Sequence, residues 1–152
     1  AGAVVSIRGS VLVYGKKPDG SAWNIGIQDP RGAQGTAVGY ITVSDDMVVS
    51  TSGDYEKYFV ENGVRYHHIM DPETGYPADS GLISVTVLCP EGIDSDGLST
   101  ACFVLGREKS MELLEKYGAE AVFITTDKKI YLTDGVTEAF QPVTSEYTVA
   151  AD

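Results

Sequence analysis

Across the first ninety residues, apolar side chains come in short β-branched runs or alternate with polar ones, patterns of strands rather than of helices. Residues 4–7 and 11–14 are short β-branched runs separated by Gly9, and Trp23-Asn24-Ile25-Gly26-Ile27 alternates apolar with small or polar residues. Residues 37–43 and 47–51 continue the pattern around the turn cluster Ser44-Asp45-Asp46. Residues 55–60 and 64–66 flank Glu61-Asn62-Gly63, and Asn-Gly between apolar runs is the strongest short hairpin signal. The second strand of that hairpin runs straight into His67 and His68. Residues 82–88 are almost continuously apolar, which predicts a central strand covered on both faces. The glycine-rich residues 29–35 read as a loop between strands, since no helix follows to make a phosphate loop.

The period then lengthens. A helix capped by Asp94 or Ser95 is expected to run to Leu105 and stop at Gly106, with Leu98, Ala101, Cys102 and Leu105 as its apolar stripe. Residues 108–117 form a second amphipathic helix closed by Gly118, and residues 121–125 and 129–132 a last hairpin around Asp127-Lys128. The pattern predicts an α+β fold, a mainly antiparallel sheet with packed helices. Residues 1–133 are expected to make the folded portion and residues 134–152 a polar C-terminal tail with one helical turn.

Composition narrows the partners. The 152 residues suit one domain with a sizeable core, and 43% apolar content argues against disorder. A net charge of −11 argues against nucleic acid, so any bound anion must be held by backbone amides, a metal or the few basic side chains. Cys89 and Cys102 read as two buried thiols, and no apolar run reaches the length of a membrane span. The chain opens directly in a strand-like run without Met, which raises the expectation of a piece of a longer protein.

Candidate chemistry gathers in three places. Asp96 and Thr100 lie four residues apart in the first predicted helix, so a carboxylate and a hydroxyl share one face and offer two oxygens to a hard cation such as Mg²⁺. The competing reading makes Asp96 a helix-start acid and Thr100 a residue bonded back to the preceding turn. His67 and His68 are adjacent on a strand and point to opposite faces, so one is expected to meet the core or a hydrogen bond and the other a cleft. A histidine there suits proton removal from a hydroxyl, and the rigid Asp71-Pro72, Gly75 and Tyr76-Pro77 loop follows it. Thr51-Ser52-Gly53-Asp54-Tyr55 reads either as turn chemistry or as the lining of a nucleotide pocket. Together these clusters point to metal-assisted chemistry on a phosphate-bearing substrate.

Their joint order resembles the ApbE family, the FAD:protein FMN transferases. The resemblance rests on Thr51-Ser52-Gly53-Asp54-Tyr55-Glu56, on His68-Ile69-Met70-Asp71-Pro72 with Thr74-Gly75 and Pro77, on Ser84-Val85-Thr86-Val87, and on Ser95-Asp96-Gly97-Leu98-Ser99-Thr100-Ala101. Trp23, Gly26-Ile27 and Asp29-Pro30 also fall in place. It implies Mg²⁺-dependent transfer of FMN from FAD to a threonine hydroxyl of an acceptor flavoprotein, with release of AMP. In that frame Asp96 and Thr100 are the metal ligands, His68 the general base on the threonine, and Ile69 a backbone contact to FAD. It also implies an extracytoplasmic, membrane-anchored setting and a further amino-terminal half of the same protein. Arg8-Gly9-Ser10 departs from the family's more usual Gly-Gly followed by Asn or Asp, and Gly97 from a usual alanine. FAD pyrophosphatase activity giving free FMN, a non-catalytic flavin-binding module and an inactive fragment remain as alternatives.

Overall fold

The computed structural model describes residues 2–150. Its strands are β1 (Ala3–Ile7), β2 (Ser10–Tyr14), β3 (Trp23–Gln28), β4 (Ala37–Val43), β5 (Met47–Gly53), β6 (Tyr58–Glu61), β7 (Val64–His67), β8 (Leu82–Cys89), β9 (Glu120–Thr125), β10 (Lys129–Leu132), β11 (Phe140–Pro142) and β12 (Thr148–Val149). The helices are α1 (Gly92–Leu105), α2 (Arg107–Tyr117) and the single turn α3 (Asp134–Thr137). A seven-stranded sheet runs in the order β1-β2-β5-β8-β9-β10-β12, beside a three-stranded sheet β11-β4-β3 and the hairpin β6-β7. Every pairing is antiparallel except β10 with β12, so the expected α+β architecture with a mainly antiparallel sheet holds.

Alternation along the central strands sorts the side chains into two cores. From β8 and β9, Val85, Val87, Ala121 and Phe123 pack beneath Leu98, Cys102, Phe103 and Leu114 of the helices. Leu88, Val122 and Ile124 face the other way and meet Ile25, Ile27, Val38 and Ile41 of the three-stranded sheet. The molecule is therefore three-layered, helices on sheet on smaller sheet, with β8 buried at all eight positions, as its strongly apolar sequence predicts. Asn62 and Gly63 both take positive φ (51° and 78°), the geometry of a type I′ turn between β6 and β7.

Three expectations need correction. The first helix begins at Gly92, with Glu91 at its N-cap and no side-chain cap, because Ser95 is buried and donates instead to the Val48 and Val87 carbonyls, both at 3.1 Å. Its apolar stripe includes the fully buried Phe103, while Leu105 is exposed. The segment from Asp134 has the expected helical turn but is no polar tail. Residues 140–142 pair with β4, residues 148–149 pair with β10, and Val136, Phe140 and Tyr147 enter the core.

Candidate functional site

Asp96 and Thr100 lie on the exposed face of α1 where it crosses β5. Strand alternation puts Ser50 and Ser52 of β5 under that helix and turns Thr51 to the opposite face, where its hydroxyl pairs with that of Thr86 at 2.8 Å. Ser52 Oγ lies 3.1 Å from Thr100 Oγ1 and 2.8 Å from Ser99 Oγ. Ser10 of β2 donates to Asp96 Oδ1 at 3.4 Å and lies 3.0 Å from Ser50 Oγ. The pair predicted from spacing is thus joined to one cluster of hydroxyls on a rigid sheet. The sequence reading did not join Ser10 to this pair and kept Ser52 in a separate cluster, although the period-two pattern of β5 was available to place Ser52 on the helix side.

Because α1 starts at Gly92, Asp96 sits more than a turn inside the helix rather than beside its amide end. The oxygens of Asp96, Thr100 and the serines, rather than the helix terminus, are what this face offers a ligand. A carboxylate, hydroxyls and open solvent suit a hard cation that keeps waters and takes its remaining ligands from a phosphate. Among the described residues no group of three or more His, Cys, Asp or Glu is placed to hold a metal.

The two histidines divide as adjacent strand residues must. His67 is buried; the Ile69 N–H donates to its Nδ1 at 3.3 Å, so the ring proton lies on Nε2, which donates to the Ala78 carbonyl at 3.2 Å. Phe103 meets its ring edge-on at 5.4 Å. Ala78 N–H in turn donates to the Ile69 carbonyl at 2.9 Å, so the backbone around residues 67–69 is tied down on both sides. His68 is exposed, its own N–H held by the Lys57 carbonyl at 3.0 Å. Ile69 is buried in the helix-side core. Among the described residues no hydrogen bond links His68 to the Asp96–Thr100 cluster.

On the other face of β5 lies a cleft of about 750 Å³ lined by residues of β1, β2, β3, the 29–34 loop, Tyr55, Glu56 and the β6-β7 hairpin. Its wall is braced by a fork in which Arg31 donates to both oxygens of Asp54, at 2.7 and 2.6 Å. That pairing raises the Arg31 pKa. Asp29 Oδ1 accepts from the Tyr147 hydroxyl at 2.8 Å and from the Arg31 N–H at 2.9 Å. Burial pushes the Tyr55 hydroxyl up to about 12. Residues 51–53, read from the sequence as turn or pocket lining, are strand here, and Thr51 and Tyr55 do line a cleft.

The sequence profile of the ApbE family matches residues 1–123. The chain belongs to the ApbE family. It is 40% identical to the FAD:protein FMN transferase of Treponema pallidum (strain Nichols), an alignment covering 97% of this chain and 43% of that protein. The Haemophilus influenzae FAD:protein FMN transferase is 38% identical, with 93% of this chain and 40% of the relative covered. Among solved structures, an ApbE protein of Thermotoga maritima superposes with a TM-score of 0.81 at 38% identity, covering 91% of this chain and 44% of that one. The flavinyl transferase ApbE of Pseudomonas stutzeri, in its apo form, gives 0.70 at 39% identity over 94% and 45%. This ApbE-family chain therefore spans about two fifths of the length of the curated relatives it matches.

Proposed function

We propose that this chain carries part of the active site of a flavin transferase that moves FMN from FAD to a threonine hydroxyl of an acceptor protein and releases AMP. The observation that carries the reading is the exposed Asp96 carboxylate and Thr100 hydroxyl on one face of α1, braced by Ser10 and Ser52, in a chain whose relatives bear the name FAD:protein FMN transferase.

Asp96 and Thr100 would hold Mg²⁺ through one carboxylate and one hydroxyl oxygen. When bound, that ion neutralises charge on the pyrophosphate. Ser52 orients the Thr100 hydroxyl, and Ser10 the Asp96 carboxylate. His68, exposed on a backbone pinned through Lys57 and the buried His67, takes the proton from the acceptor threonine. The threonine oxygen then bonds to the FMN phosphorus as the bond from that phosphorus to the bridging oxygen breaks, and AMP departs with the electron pair. Ile69 contributes a backbone contact to FAD.

The test is covalent transfer in the protein that carries this chain, read as flavin fluorescence on the denatured acceptor. Asp96→Ala is expected to abolish labelling with the circular dichroism spectrum unchanged, because Asp96 is exposed and braces only Ser10. Full labelling by that variant would remove Asp96 from the mechanism. Accumulation of free FMN without labelled acceptor would point instead to pyrophosphate hydrolysis.

A further inference from the structure

Three of the four arginines in a chain of net charge −11 line the cleft on the far side of β5. The carboxylates around them are mostly engaged already. Asp54 gives both oxygens to Arg31, and Asp29 accepts from Tyr147 and from the Arg31 backbone, leaving Glu56 as the lining carboxylate with neither an ion pair nor a side-chain hydrogen bond among the described residues. Arg65 lies over the Tyr58 ring, its Cζ 3.8 Å from the ring centre, with one N–H directed to the Asp54 carbonyl at 3.4 Å. Arg8 forms no ion pair among the described residues.

Arg8 is also conformationally costly. It sits at φ 54° in the tight turn between β1 and β2, a region open to glycine at no steric cost and rarely taken by a long side chain. Gly9 beside it is forced by close approach, since a Cβ there would lie 2.9 Å from the Thr51 carbonyl oxygen. The fold would be better served by glycine at position 8, yet the chain spends strain to hold a guanidinium at the cleft.

We propose that this cleft is a metal-independent binding site for a nucleoside monophosphate, with Arg8 and Arg65 on the phosphate and Tyr55 and Tyr58 offering ring surface to the base. Guanidinium forks match phosphate oxygens, and the cleft's volume of about 750 Å³ is well beyond what a bare phosphate fills. The site is distinct from the Asp96–Thr100 cluster because Thr51 lines the cleft while its neighbour Ser52 contacts Thr100 across the strand.

The experiment is calorimetric titration of the protein that carries this chain with AMP in the presence of EDTA, with adenosine as the uncharged comparator. AMP is expected to bind more tightly than adenosine, about tenfold more weakly to Arg8→Gly and to Arg65→Ala, and unchanged to Asp96→Ala. Arg8→Gly relieves the strained turn, so a loss of binding there cannot be laid to unfolding. Absence of AMP binding, equal affinity for adenosine, or loss of binding in Asp96→Ala would overturn the proposal. These outcomes are separate from those for flavin transfer, which turns on Mg²⁺ and Asp96.

Discussion

Gly97 lies between the two proposed metal ligands, exposed on α1, and a Cβ built on it would meet nothing within 4 Å. Glycine inside a helix costs backbone entropy without any compensating contact here. Gly97→Ala is expected to raise the unfolding free energy by about 1 kcal/mol in urea titration; a loss of stability would mean that the position serves a purpose the packing does not reveal. The same scale shows what the sequence could and could not assign. That His67 and His68 face opposite ways follows from strand geometry alone. Which of them is buried does not, because that is decided by Ala78 and Phe103, residues remote in sequence that close over one side of β7. Arg8, Arg31 and Arg65 are likewise scattered over some sixty positions, and only the folded chain brings them to one cleft.

Elements with long, regular patterns were legible. The β6-β7 hairpin, the doubly buried β8 and both long helices follow from Asn-Gly, from a strongly apolar run and from helical spacing closed by glycine. The C-terminal segment was not legible, because its strands are three and two residues long and its apolar residues are isolated among polar ones. Partners far off in the chain also hold it: β11 pairs with β4 a hundred residues earlier, and Tyr147 reaches Asp29. Phe140 is buried against Gly39 and the core of the smaller sheet. Phe140→Ala is therefore expected to cost about 3 kcal/mol, measured by chemical denaturation. A change below a few tenths would show that this segment is only loosely attached. The helix start was displaced for a related reason. Ser95 resembles a cap in sequence, but its hydroxyl is taken up by two strand carbonyls, so the helix runs on past it towards its N-terminus.

At the scale of the molecule, the central sheet separates two chemistries. Oxygen donors from β2, β5 and α1 gather on the helix side, while arginines from the β1-β2 turn, the 29–34 loop and β7 gather on the other. His68 stands at the foot of the β6-β7 hairpin, whose Tyr58 and Arg65 line the arginine cleft. The family was legible from four ordered motifs, and the α+β architecture from the order of strand and helix patterns; the division between faces appeared only with the sheet order. The claim on which the account turns is that Asp96 makes a phosphate ligand depend on Mg²⁺. It is tested most directly by titrating FAD into the protein with and without Mg²⁺, beside Asp96→Ala, and following flavin fluorescence. Binding is expected to strengthen with Mg²⁺ in the native protein and to lose that dependence in Asp96→Ala. FAD affinity indifferent to Mg²⁺, or an Mg²⁺ response that survives the substitution, would contradict it.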